Sequence, residues 1–320
     1  MQILQAFGVK ARRIVKEKSY YICGTDKGGK IVRKSLEPES RVVFEHEVKE
    51  HLSASGFPYV DRFTLSQQGL PYAELDGALY VMTDAISARE ADFGSNADFQ
   101  KIIAAVAAMH RLAREIPLTG TSAPRSGDVL EIYRRQIAEL DSVRKKISGA
   151  RKRLSDFDVL FLKNHAHYAE RMRASVSALE KTKLAEKRNS AKRNTAVCHN
   201  LLKEEYVSLG GEHTYITGFS QAAVDYQIFD LSAVLTRYAK NLPAEPVPLA
   251  ALLELYDKHC TLDRDDLEIL YPLLKYPGKF VKICGQYYSK NRTWTPNAIG
   301  NRIEGVLEGR EKFEEWAKGT

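Results

Sequence analysis

Apolar positions recur at two different periods along this chain, and the change of period divides it. Through Asp84 the apolar runs are short and β-prone. Ser19 to Cys23 and Lys30 to Lys34 flank Gly24-Thr25-Asp26-Lys27-Gly28-Gly29, a hairpin connection. Between Arg41 and Leu52, Phe44, Val48 and Leu52 fall at i, i+4 and i+8, which predicts a helix ended by Gly56-Phe57-Pro58. Pro71 to Leu75 and Ala78 to Thr83 are strands joined by Asp76-Gly77, a strong hairpin signal. The order is strand, strand, helix, strand, strand.

Beyond Asp84 the period becomes helical. Ser95-Asn-Ala-Asp98 resembles a capping box with Asp for the usual Glu, and Phe99, Ile102, Ile103, Val106, Met109 and Ala113 line one side of the helix it opens. Val129 to Ile147 and Phe157 to Leu179 repeat the pattern. Residues 195–220 return to short β-prone runs split by Gly210-Gly211. From Asp225 onward the chain is helical again, broken at Pro243 to Pro248 and around Pro272 to Pro277. These patterns predict an α+β protein of the protein-kinase-like, two-lobed class, with a small β-rich lobe over 1–84 and a larger helical lobe over 85–320. A fold of that class does not by itself imply activity.

Composition adds exclusions. The chain of 320 residues is 44% apolar and 28% charged, enough for a core that needs no metal or disulfide. Cys23, Cys198, Cys260 and Cys284 are widely spaced with no C-x-x-C pair, which argues against structural zinc and a disulfide framework and for a reducing place of synthesis. Met1 to Arg13 lacks the basic-then-apolar order of a signal peptide, and no apolar run approaches the ~18 residues of a membrane span. The net charge is +7, and Arg144-Lys145-Lys146, Arg151-Lys152-Arg153 and Lys181 to Arg193 concentrate positive charge on the helical lobe. No aromatic residues interleave these runs and no nucleic-acid-binding spacing accompanies them. They read as a solvated helix and a mobile loop before Thr195, and they argue against nucleic acid as a partner.

Several segments resemble the CotS-type spore-coat proteins, a bacterial family related to aminoglycoside and choline kinases. Tyr276-Pro-Gly-Lys-Phe-Val-Lys-Ile-Cys-Gly-Gln-Tyr-Tyr288 with Arg292-Thr-Trp294 is similar to that family's aromatic C-terminal signature. Ile86 to Asp92 resembles its segment past the inter-lobe hinge, and Val106-Ala-Ala-Met-His110 its first long helix. Phe157 to Leu162 and Asp225 with Asp230-Leu231 also fit. The likeness runs from about Lys30 to about Trp316. It implies a sporulating bacterium, synthesis in the mother cell, deposition in the spore coat and other coat proteins as partners.

Phosphoryl transfer rests on positioning and charge neutralisation. The related kinases carry His-x-Asp-x-x-x-x-Asn, then a hairpin, then Asp-Phe-Asp or Asp-Phe-Gly. Here the matching loop is Val197 to Val207. Counted from His199, Leu201 stands at the catalytic Asp position and Tyr206 at the metal-binding Asn. Further on, Gly218 stands at the magnesium Asp and Ser220 at the second acidic position. Leucine cannot accept a proton, and glycine offers no oxygen to a hard cation. The resemblance therefore implies a degenerate phosphotransferase with no catalytic residues and no metal site. Glu204 and Glu205 are the candidates for displaced acids in an atypical kinase. Asp92-Phe93-Gly94 spells the magnesium motif but lies upstream of the loop that should precede it, and Gly28-Gly29 is no phosphate-loop fingerprint.

The upper half of the site keeps more. Lys34, with Arg33 as competitor, occupies the place of the phosphate-contacting lysine, and Glu47 on the following helix is its candidate partner. These leave residual ATP binding open at a cleft lined by Met82 to Ala85, although no cofactor is required. His199 and Asp230 read as braces of the loop backbone. Three functions compete: a non-catalytic coat scaffold, an atypical kinase, and a nucleotide sensor without transfer.

Overall fold

The computed structural model describes residues 2–118, 123–149, 153–288, 313 and 315–317. The chain divides into two compact units, the first Met1–Ser126, Arg188–Val234 and Glu254–Thr261, the second Gly127–Lys187, Leu235–Leu253 and Leu262–Thr320.

The first unit opens with a short helix, α1 (Gln2–Ala6), and a five-stranded antiparallel sheet: β1 (Ala11–Lys16), β2 (Tyr20–Thr25), β3 (Gly28–Lys34), β4 (Ala73–Leu75) and β5 (Ala78–Asp84) in the order β1-β2-β3-β5-β4. Helix α2 (Glu39–Ala54) lies between β3 and β4 in sequence. The Asp76-Gly77 hairpin forms as predicted: both residues have positive φ, 52° and 69°, as the tightest two-residue turn demands, and Leu75 pairs with Ala78. The sheet has an apolar layer on each face. Ile3 and Leu4 of α1, with Phe7 just after it, join Cys23, Val32 and Met82 in one layer, while Val42 of α2 joins Val81, Phe63 and Tyr72 in the other.

After a two-residue strand, β6 (Arg89–Glu90), come α3 (Asn96–Leu112), α4 (Val129–Ser148), α5 (Asp156–Glu180) and α6 (Leu184–Arg193). All six apolar positions predicted for the α3 face are buried. Only half of the anticipated capping box forms. Ser95 Oγ accepts from the Asp98 N–H, but the Asp98 carboxylate is engaged by Arg89, at 2.6 and 2.7 Å. Two short strands, β7 (Val197–Cys198) and β10 (Ala223–Val224), pair across the loop that contains the hairpin β8 (Val207–Gly210) and β9 (His213–Ile216). Helices α7 (Ile228–Lys240), α8 (Leu249–Asp257), α9 (Arg264–Lys275) and α10 (Gly278–Tyr288) follow.

In the second unit, α4, α5 and α10 share an aromatic core in which Tyr133 stacks on Tyr276 and Tyr168 on Phe280, at centroid distances of 3.4 and 3.9 Å. Tyr276, Phe280, Tyr287 and Tyr288 of the family signature are thus packing residues. Arg292 and Trp294, with Arg151 and Lys152 of the second basic run, lie outside the described residues. Among the described residues no helix is long and apolar enough to cross a membrane.

Three expectations change. Sequence reading missed α1 and β1. Pro272, expected at a break, sits inside α9, which continues to Lys275. Residues 184–193, expected as part of a mobile loop, form α6, and several cations of this stretch are paired. Lys183 reaches Asp265 at 2.9 Å and Lys187 reaches Asp266 at 2.8 Å in the second unit, while Arg188 grips buried Asp225 in the first.

Candidate functional site

The loop from Val197 to Val224 is braced from its two ends. Asp230, near the start of α7, accepts from the backbone N–H of His199 at 2.5 Å and of Asn200 at 2.8 Å, and lies 3.3 Å from His110 Nε2. Burial alone would raise its pKa, but hydrogen bonding to His110 and the neighbouring His199 outweigh it and hold the carboxyl below its ordinary value. Asp225 receives Arg188 through two bonds, 2.9 and 2.7 Å, at a buried site. Gln227 donates to the carbonyls of His110 and Val197. These side chains fix main chain, and they hold it in place whatever residues the loop presents.

His199 is held neutral by its contacts. Its Nδ1 lies 3.1 Å from the Leu201 N–H and accepts from it, so Nε2 carries the proton and donates to the Thr217 carbonyl at 2.8 Å. Burial pushes its pKa below the ordinary 6.5, against the opposing pull of Asp230. In the unfolded chain the ring takes up its proton near that ordinary value, so acidification favours the unfolded state. The contribution of His199 to stability is complete above pH 6.5 and is lost as the pH falls below it toward the folded-state pKa. Urea midpoints measured at successively lower pH should decline less steeply in His199→Gln than in the native chain. Parallel curves would remove His199 as the cause.

Leu201 is half-buried, and the short 3-10 turn Glu204–Tyr206 follows. Glu205 is exposed and pairs with Lys203 at 2.7 Å. Tyr206 and Gly218 meet. Gly218 has φ of +73°, and a Cβ built there would lie 2.3 Å from Tyr206 Cδ1 and 2.5 Å from Cε1. The ring therefore fills the space through which a side chain at 218 would leave the backbone. Of the two positions that the resemblance assigns to magnesium, one presents a phenol and the other is closed by it. Ser220 is half-buried, and its carbonyl accepts from Arg41 of α2 at 2.6 Å. Arg41 also reaches the Ala222 carbonyl at 3.0 Å. Magnesium prefers several oxygen ligands in strict octahedral geometry, and Leu201, Tyr206 and Gly218 do not fit it. Among the described residues no group of three or more His, Cys, Asp or Glu is placed to hold a metal ion.

The upper half is arranged differently from the sequence reading. Strand alternation sends Arg33, not Lys34, toward α2. Arg33 is in register with Val81, whose layer includes Val42 of α2, whereas Lys34 is in register with Tyr80, which packs with the α1 layer. The strand-to-helix ion pair is accordingly Arg33 to Glu45 at 3.7 Å, and Lys34 is exposed. The anticipated Lys34–Glu47 pairing is thus replaced by one on the competitor arginine and a glutamate two residues earlier on the helix.

Sequence reading missed Lys49 altogether. Its side chain is 0% exposed, with Nζ 2.6 Å from Glu45 Oε1, 3.0 Å from Asp61 Oδ1 and 4.1 Å from the centre of the Phe63 ring. Asp61 Oδ1 in turn accepts from the Gly218 N–H at 3.2 Å. A continuous polar chain thus runs from Arg33 through Glu45, Lys49 and Asp61 to the backbone of Gly218. The Glu45–Lys49 spacing of four is visible in sequence, but such pairs are ordinary on exposed helices; only the remote Asp61 marks this one as internal. The Asp92-Phe93-Gly94 decoy is a local turn: Asp92 Oδ1 accepts from the Gly94 N–H at 2.8 Å and Phe93 is buried in the core.

Among solved structures, the chain is similar to an aminoglycoside phosphotransferase from Alicyclobacillus acidocaldarius, with a TM-score of 0.86 and 14% identity over 99% of this chain and 93% of the other. It is also similar to spectinomycin phosphotransferase APH(9)-Ia bound to ADP and spectinomycin (TM-score 0.63, 12% identity, 98% and 95% covered). A choline kinase from Cryptosporidium parvum Iowa II matches at TM-score 0.52 and 8% identity, with 96% and 90% covered. At such identities the likeness shows the fold alone, and that fold is the expected α+β, protein-kinase-like one. A comparison with curated proteins finds none that matches. The sequence matches the family described as "Spore coat putative kinase YutH" over residues 1–319, and the chain belongs to that family, in line with the resemblance read from its aromatic signature.

Proposed function

We propose that this chain is a spore coat protein in which the kinase fold serves as a scaffold or assembly partner and phosphoryl transfer has been lost. The observation that supports this reading most strongly is the seating of the Tyr206 ring against Gly218, which fills the path a magnesium-binding side chain would need. Leu201 adds the loss of a base. Losing a general base alone removes ~100- to 10,000-fold of rate, and losing the metal clamp removes a separate term. The competing displaced-acid mechanism is weakened by Glu205, which faces Lys203. Synthesis in the mother cell, association with other coat proteins and a lobe boundary after Asp84 belong to the same proposal. Coat fractions of sporulating cells should contain the protein, and its recovery only from vegetative cytoplasm would overturn the localisation.

Residual nucleotide contact is a narrower matter. Arg33, anchored to Glu45, is better placed for it than Lys34, and the test separates them. In a thermal-shift titration with ATP, the scaffold reading expects no additional shift on adding magnesium. A metal-independent shift lost in Arg33→Ala but kept in Lys34→Ala would assign the contact to the arginine and favour a nucleotide sensor. Transfer of labelled γ-phosphate that disappears in Glu204→Gln or Glu205→Gln would overturn the non-catalytic reading.

A further inference from the structure

The positive surplus of this chain has a definite address. Residues 1–34 hold nine lysines and arginines against two acidic residues, a surplus of seven that equals the net charge of the whole chain. The remainder is balanced in sum. Within this segment Lys30 and Arg33 are paired, with Asp84 and Glu45. Lys10, Arg12, Arg13, Lys16, Lys18 and Lys27 are exposed, and among the described residues none of them forms an ion pair. They lie on β1, its flanking turn and the β2–β3 turn. By contrast, Lys183, Lys187 and Arg188 of the basic run singled out in sequence are neutralised by acids.

β1 is also the outermost strand of the sheet. No strand pairs with its outer side among the described residues, and five of its six residues are exposed, Val15 being half-buried. Lysines on a free edge commonly serve to repel unwanted pairing. Repulsion alone does not account for the apolar side chains set between these cations. Ile14 of β1 and Tyr20 and Ile22 of β2 are 39%, 36% and 38% exposed among them. An edge that offers unpaired backbone groups, flanking cations and interleaved apolar side chains is built to accept an extended chain of opposite charge. A nucleic acid would use the cations but neither the backbone edge nor the aliphatic side chains, and Tyr20 alone makes a poor stacking platform.

We infer that the β1 edge is a docking surface for an acidic polypeptide segment, which adds to the sheet as a further strand. This extends the scaffold reading by naming the chemistry of its partner, and it is independent of whether the cleft is inert. Docking and phosphoryl transfer are read in separate assays, so one can fail while the other stands.

The test uses the full chain and fluorescently labelled poly-glutamate as probe, followed by anisotropy at low salt. Binding is expected to weaken as salt rises toward physiological ionic strength, where screening length falls to ~8 Å. The double charge reversal Arg12→Glu with Lys16→Glu should weaken it at least about tenfold, from the loss of several exposed ion pairs and their replacement by repulsion. Both positions are exposed, and an unchanged melting temperature verifies that the variant folds. Lys145→Glu on α4, also exposed, should leave binding unchanged. A Glu-Glu-Pro repeat, whose prolines fall on both sides of an extended strand and so remove donors that would face β1, should bind more weakly than poly-glutamate. No binding of poly-glutamate at low salt would overturn the proposal, as would equal loss in Lys145→Glu. Tighter binding of single-stranded DNA than of poly-glutamate would assign the surface to nucleic acid instead, and indifference to proline in the probe would remove the added strand.

Discussion

Replacing Gly218 by Asp, the residue that the resemblance expects at this position, should destabilise the protein by ~2–4 kcal/mol, the range for forced overpacking with backbone strain. The cause is local. The new Cβ would lie 2.3 Å from the Tyr206 ring, and the backbone there has φ of +73°. Asp tolerates that conformation better than most residues do, so the steric term dominates. Combining it with Tyr206→Asn, which removes the ring, should recover part of the loss. The two substitutions are therefore coupled, by ~1–3 kcal/mol in a double-mutant cycle read from urea midpoints. Additive effects would mean that the ring is free to move aside and that the site is not closed by packing.

Lys49→Met should cost ~3–5 kcal/mol, the usual penalty for removing one partner of a buried ionic cluster. Methionine matches the length of the lysine stem, so packing against Phe63 is largely kept and the loss is electrostatic. Glu45 and Asp61 would be left facing each other with Arg33, 3.7 Å from Glu45, as the remaining cation. Adding Glu45→Gln to Lys49→Met should restore stability in part, since the uncompensated charge is then reduced. A single Lys49→Met variant with native stability would show that the cluster is open to water.

Much of this fold could be read from spacing. The Asp76-Gly77 hairpin and the apolar face of α3 formed where periodicity placed them. β1 escaped because Ala11-Arg-Arg-Ile-Val-Lys16 is exposed on both sides and so shows no alternation for period-two reading to detect. α6 escaped because its many cations resemble a solvated tract. The acids that pair with Lys187 and Arg188 stand far away in sequence, at Asp266 and Asp225, and no local pattern connects them. At the site, the resemblance singles out Leu201, Tyr206 and Gly218 as expectations. It could not say that the second would rest on the third. Nor could it choose between Arg33 and Lys34 without the register of β3 against β5, although the alternation of Lys30, Val32 and Lys34 on one face was available as a signal.

Arg41 ties α2 to the segment after Gly218 through the carbonyls of Ser220 and Ala222, that is, through atoms every residue possesses. An anchor that grips only the peptide backbone is blind to sequence. It would secure this segment equally well with a carboxylate at 220 or with the serine now there. Geometry and chemistry are thereby uncoupled: the segment keeps its shape whichever side chains it presents.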